Sequence, residues 1–318
     1  MLIRIFRPLA ASLLVLGMTI PAVAAQLSTD ARGAIPHEVQ QIVTIDYRAM
    51  QNSPTAMQLR NKLMPPELKQ LEESLKNSGL NESKDVEILA FVSFRISATS
   101  EQTRTVGVAQ GQYSLEDVYA NLRKQKIKAT LYRTNRIYPM GGGGSMVSFL
   151  DKTTMVFGSL DAVKSALDAR DGMSRNLLTN NALMDAMKGV ENEPLWSILD
   201  QKGTQTMVHT LLGEASAVAD FEAVKKRLIS SSYSMNFQNG VKFSLNIQTP
   251  DGFTSTTLSS LLNAAALYKK ATGSAIEKQA MDATKIDSNG GLLTIYFAAS
   301  DSQFNSLLGS PLFQSVVH

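Results

Sequence analysis

Three histidines, 28 carboxylates and no cysteine are the raw material for chemistry in this 318-residue chain. The missing thiols exclude cysteine nucleophiles, thiolate metal sites, iron–sulfur clusters and disulfides. His37–Glu38 begins like the zinc-binding H-E-x-x-H helix, but position 41 is Gln, so two imidazoles cannot converge from one helix. His318 is the last residue given. His209 therefore remains as the imidazole able to act as acid or base, and Glu214 follows five residues on. The paired acids Glu72–Glu73 and Glu116–Asp117 are neighbours on helices, where adjacent side chains diverge by about 100°. Glycoside cleavage needs two carboxylates that face each other. A G-x-S-x-G elbow, a serine with lysine three residues later and the Gly-Lys of a phosphate loop do not occur. No catalytic residue, metal ligand or cofactor is expected.

Cations offer a second kind of chemistry. Arg123, Lys124 and Lys126 close one helical stretch, and Arg133 and Arg136 lie on the strand expected next. Together they form a candidate patch for an anion or an anionic envelope polymer. Lys225–Lys226–Arg227 and Lys269–Lys270 end two further helical stretches, where the helix dipole alone favours positive charge. Gly141–Gly144 exposes backbone N–H groups, yet no lysine or helix start follows to complete an anion cradle. Trp196, in the apolar run Pro194–Leu199, reads as a core residue.

Arg4 and Arg7, the charge-free stretch Leu9–Val23 and the small residues Ala22, Ala24 and Ala25 have the layout of a secretory signal peptide. Residues 1–25 are accordingly expected to be cleaved, which sends the chain to the periplasm or outside the cell. The apolar stretch is shorter than the roughly 20 residues of a membrane span, and no transmembrane segment is expected in the mature chain. Removing Arg4 and Arg7 takes 31 basic residues to 29 against 28 acids. A chain this balanced lacks the excess cations that nucleic-acid binding requires. A protein or an envelope ligand is the expected partner.

The elements that must position these residues alternate between period-2 and period-3.6 patterns. Strands are expected at residues 42–47, 86–96, 103–109, 128–138, 146–150 and 154–157. Helices are expected at 57–76, broken at Pro65–Pro66, at 114–126 and from 159. A second run repeats the order: a strand at 195–199, a helical region at 205–228, a hairpin at 231–249 and a helix at 254–270. Strands at 280–286 and 292–298 and a last helix from 300 complete it. A three-residue hairpin loop at Gln238–Gly240 pairs Phe237 with Val241, Met235 with Phe243 and Tyr233 with Leu245. It leaves Ser234, Asn236, Lys242, Ser244 and Asn246 on a wet face. A shift of 140 positions aligns Phe157 with Phe297, Asp161 with Asp301 and Leu167 with Leu307.

The expected fold is α+β, with two related halves at residues 26–190 and 191–318. Each half is expected to form an antiparallel sheet with helices mainly on one face, of the ferredoxin-like, split β-α-β kind.

Ala34–Glu38 ahead of the first strand, Arg133–Tyr138 ahead of the glycine-rich loop, Phe149–Asp151, Val156–Gly158 and Asp161–Leu167 carry a resemblance. With the repeated layout, they make the chain similar to exported bacterial envelope proteins to which no catalysis is assigned. The resemblance implies a bacterial source and no functional residue. The expected function is a non-catalytic binding or interaction protein of the bacterial envelope. The alternatives are an envelope hydrolase built from distant residues around His209, and an anion or polymer binder using Arg123–Arg136.

Overall fold

The computed structural model describes residues 26–63, 66–140, 144–212 and 219–310. The expected export segment at residues 1–25 and most of the Gly141–Gly144 loop lie outside them.

The chain enters through the short helix α1 (Thr29–Gly33) and the strand β1 (Val39–Asp46). Four helices follow: α2 (Tyr47–Gln51), α3 (Pro54–Leu63), α4 (Pro66–Asn77) and α5 (Glu82–Asp85). The hairpin β2 (Val86–Arg95) and β3 (Thr103–Gly111) leads into α6 (Leu115–Lys124). Next come β4 (Thr130–Tyr132), β5 (Asn135–Pro139), β6 (Met146–Phe149), β7 (Thr154–Gly158), α7 (Leu160–Arg170) and α8 (Asn181–Lys188). The second run contains β8 (Leu195–Leu199), α9 (Gln201–Leu212), α10 (Ala219–Lys225), β9 (Ser230–Asn236), β10 (Val241–Gln248) and α11 (Gly252–Thr272). It ends with α12 (Ala275–Asp282), β11 (Thr284–Asn289), β12 (Leu292–Ala299) and α13 (Asp301–Leu307).

The α+β class holds, and the two expected sheets are one. Among the described residues, twelve strands run in the order β11-β12-β10-β9-β8-β1-β2-β3-β7-β6-β5-β4, continuous across the antiparallel β1–β8 pair. Outward from that pair, both directions list the same chain order: first strand, second, third, last, last but one. The topology differs from a split β-α-β unit. The first and second strands of each run, β1 with β2 and β8 with β9, are direct antiparallel neighbours with no strand between them. Helices connect each of these pairs, because the strands are too far apart in sequence for a tight turn.

One sheet face carries packed helices over both halves. Over the first half, α6 sets Val118 and Leu122 on Ala109, Val147, Met155 and Phe157. The Phe157 ring crosses Gly107, where an added Cβ would come within 2.1 Å of the ring. Over the second half, α9, α10 and α11 bring Val208, Phe221, Leu258 and Leu262 onto Leu245, Ile247 and Leu293. Beside them α13 and α3 place Phe304, Leu308 and Leu59 on Leu195 and Val241. Thus α3, which belongs to residues 26–190, covers strands of residues 191–318, and Lys62 Nζ and the Leu308 carbonyl are 2.5 Å apart.

Among the described residues, helices cover the opposite face, called here the α7 face, over the first half only. There Ile88, Ala90, Val92 and Phe94 of β2, Val106 and Val108 of β3 and Trp196 of β8 lie under α1, α7 and α8. The strict alternation along β2 explains why this half carries helices on both faces: its even positions are buried on one side and Leu89 and Phe91 pack on the other.

Four local expectations needed revision. The strand expected at 128–138 is a hairpin of β4 and β5, turned at Arg133 with φ 54°. The helical region expected at 205–228 starts earlier, at Gln201, and its described residues form α9 up to Leu212 and α10 from Ala219 to Lys225. The strand expected at 280–286 begins later, at Thr284 in β11, and residues 280–282 end α12, which a reciprocal capping box between Ser274 and Glu277 opens. Just before the expected boundary at residue 190, where no helix was expected, lies α8, capped by the Asn180 side chain.

Candidate functional site

Over the second half, the α7 face is a broad sheet surface on which no described helix packs. Its floor is built by the strand alternation. The pairs Ser232–Asn246, Ser234–Ser244 and Asn236–Lys242 join β9 to β10. Asn246–Thr294, Ser244–Tyr296 and Lys242–Ala298 join β10 to β12. Lys285–Tyr296 and Asp287–Thr294 carry the face to β11. The register of the β9–β10 hairpin is the expected one, with Phe243 opposite Met235 and Leu245 opposite Tyr233. Asn239 (φ 59°) and Gly240 (φ 96°) make its turn. A Cβ on Gly240 would lie 2.5 Å from the Ala299 carbonyl oxygen, so glycine is required there on space as well as on φ.

Hydroxyls and amides dominate this floor, and few of its hydrogen bonds are internal. Thr294 Oγ1 donates to Asn246 Oδ1 (3.0 Å), and Asn236 Nδ2 donates to Glu193 Oε2 (3.0 Å) at the rim next to α8. Tyr296 and Leu292 stand exposed and Lys242 and Lys285 reach solvent. Such a surface can hydrogen-bond a polar ligand laid flat and stack one ring on Tyr296. Ser234, Asn236, Lys242, Ser244 and Asn246 were legible as a wet face in the sequence. Thr294, Tyr296 and Lys285 were not, because their membership depends on which strand pairs with β10.

The candidates for chemistry are scattered. His209 lies exposed on α9, its ring 6.1 Å from that of Phe221. Among the described residues no carboxylate bonds to it. Glu214 lies outside the described residues. His37 is held between Glu38 and Arg175: Nδ1 is 2.9 Å from Glu38 Oε1, and Nε2 is 2.7 Å from Arg175 Nη2. Arginine can only donate, so Nε2 accepts and Nδ1 carries the proton. Both ring nitrogens are thus engaged in structure. Trp196 is buried in the core, as its sequence setting implied.

The basic patch divides. Arg123 and Lys124 end α6, Lys126 follows with φ 59°, and all three are exposed with Arg136. Arg136 lies near Tyr119, whose hydroxyl is pushed up by burial and by Tyr138 and pulled down by that guanidinium. Arg133 instead turns to α7, where it pairs with Asp168 at 3.1 Å and lies over the Tyr132 ring.

A smaller recess of about 190 Å³ opens between α12, α13 and β12. Ile276, Phe297, Leu307, Gln279 and Gln303 line it, and none of its lining side chains is titratable. Among the described residues no cluster of three or more His, Asp or Glu could hold a metal ion, and no helix is long and apolar enough to cross a membrane.

No family profile and no curated protein sequence matches the chain. Its fold is similar to that of TP0453 of Treponema pallidum. One crystal form of that protein aligns over 88% of this chain and 98% of its own, at 13% identity and a TM-score of 0.50. A second aligns over 93% and 99%, at 12% identity and a TM-score of 0.48. At such identities the likeness concerns the fold alone.

Proposed function

We propose that this chain is an exported, non-catalytic binding protein of the bacterial envelope, and that its ligand lies on the open face of β9, β10, β12 and β11. The observation that carries the reading is a broad sheet face lined by Ser, Asn, Thr, Lys and one exposed Tyr. Sheet faces with one solvated side are ordinary in antiparallel proteins. Here, however, the same face is buried under three helices over the other half. The basic, then apolar, then small-residue start of the chain supports export. We also read residues 26–190 and 191–318 as products of duplication, supported by the mirrored strand order.

Hydroxyl and amide side chains flanking one aromatic ring suit an uncharged, hydroxyl-rich ligand such as an envelope glycan. The test is a pull-down of envelope polysaccharide by the purified chain, with Tyr296→Ala and Asn246→Ala as variants. Retention by the parent chain and its loss in both variants, with an unchanged circular dichroism spectrum, is the expected result. Equal retention by all three chains would remove the open face from the function. Turnover of an envelope substrate that disappears in His209→Ala would replace the reading with a hydrolase.

A further inference from the structure

We propose that two copies of this chain pair edge to edge through β11, antiparallel about a two-fold axis at Ile286. The inference is independent of what the open face binds. Among the described residues β11 ends the sheet, and it carries neither a proline nor a bulge to blunt its edge. The other terminal strand, β4, has only three residues and is flanked by Lys126, Lys128 and Arg133. Shortness and like charge protect that edge, whereas among the described residues β11 has neither device.

The sequence Thr284-Lys285-Ile286-Asp287-Ser288-Asn289 is complementary to itself. A two-fold axis at Ile286 puts Lys285 opposite the partner's Asp287, and Asp287 opposite the partner's Lys285. Both exposed charges are then neutralised on the open face. Thr284 meets the partner's Ser288, and Ile286 meets the partner's Ile286 on the covered face. The backbone phase agrees. Ser288 N–H donates to its neighbour's carboxylate, Asp287 Oδ1 (2.8 Å), which marks the even positions as turned away from β12. Ile286 and its mate would therefore exchange two N–H···O bonds. Lys285 and the partner's Asp287 would form the close, non-hydrogen-bonded kind of pair, whose side chains approach most nearly. An isologous contact of this kind closes at two copies and extends no further. It also makes the two open faces continuous, doubling the polar floor.

A six-residue edge is a small interface, so association is expected at roughly micromolar concentrations or above. Sedimentation velocity of the purified chain over a concentration series tests this. The parent chain is expected to pass from monomer to dimer. Lys285→Asp puts like charges in both cross-strand pairs and is expected to weaken dimerisation by about tenfold or more. The double exchange Lys285→Asp with Asp287→Lys restores both pairs and is expected to restore the dimer. Circular dichroism checks that each variant folds. A parent chain that stays monomeric at about 200 µM overturns the proposal, a concentration well above the range expected for a small interface. So does a Lys285→Asp variant that dimerises undiminished, or a double exchange that restores nothing.

Discussion

The two halves of the sheet leave their last strands differently, and that exit decides which face is buried. In residues 26–190 the chain leaves β7 at Gly158, with φ 146°, and Ser159 caps α7, which falls onto Val106 and Val108. In residues 191–318 it leaves β12 at Ala299, and Ser300 caps α13, which falls onto Val241 and Leu195 on the opposite face. The 140-residue shift puts Ala298 where the first half has Gly158, and the cap arrives one residue later. Strand side chains alternate faces with every residue, so a one-residue change is enough to reverse the side on which the helix lands. The strands follow suit. Below α7 the second strand presents Ile88, Ala90 and Val92, whereas β9 presents Ser232, Ser234 and Asn236 in the uncovered half.

That contrast makes matched truncations the pair expected to differ most. Leu167, on the inner side of α7, is fully buried, and Leu307, its counterpart by the 140-residue shift, is half-buried beside the recess on α13. Leu167→Ala is expected to lower stability by about 3–4 kcal/mol, and Leu307→Ala by about 1 kcal/mol. Urea denaturation measures both. Equal losses would mean that both terminal helices seal their halves alike.

The exit itself gives the next largest effect. A Cβ on Gly158 would sit 3.0 Å from the Thr105 carbonyl oxygen, in a backbone region that side chains avoid. Gly158→Ala is expected to destabilise by about 1–3 kcal/mol. Ala298→Gly, at the ordinary exit, should change stability by less than about 1 kcal/mol. A Gly158→Ala chain as stable as its parent would show that packing of α7, and not the backbone at its start, chooses the face.

Much of this contrast was readable from local pattern. The wet and dry faces of the β9–β10 hairpin follow from alternation and one loop length. Ser159 and Ser300 announced their helices as capping residues. The single sheet was not readable, since Thr44 meets Trp196 and Ile42 meets Ile198 across about 150 residues of chain with no local cue. The α8 helix hid behind asparagine and glycine, which serve equally as linker and cap. For α12 a signal existed in Ser274-x-x-Glu277, but the run that follows also suits a strand. Arg133 left the basic patch because a positive φ turned it toward Asp168, and spacing alone does not reveal a turn within an apparent strand.

The smallest effect separates the two helices that follow the central hairpins. Both α6 and α11 start after the third strand of their half and pack on the same face. The Ser114 side chain makes no cap bond to the α6 backbone and instead donates to Asp117. Asp251 caps α11 directly, accepting from Thr254 N–H at 2.8 Å and from the Thr254 hydroxyl at 2.9 Å. Those two bonds, with Arg227 nearby, hold the Asp251 carboxyl below its usual value of 3.8. A depressed carboxyl in the folded state adds stability that is fully present above the unfolded value and is lost as pH falls through the folded one. Acidification below about pH 4 should therefore loosen the first turn of α11 before that of α6. Amide exchange at Phe253 and Thr254 is expected to accelerate over that window, and Asp251→Asn should remove the acceleration while leaving α6 unchanged. Parallel acceleration in both helices would show that the two starts are held alike, and the difference between the halves would then end at their last strands.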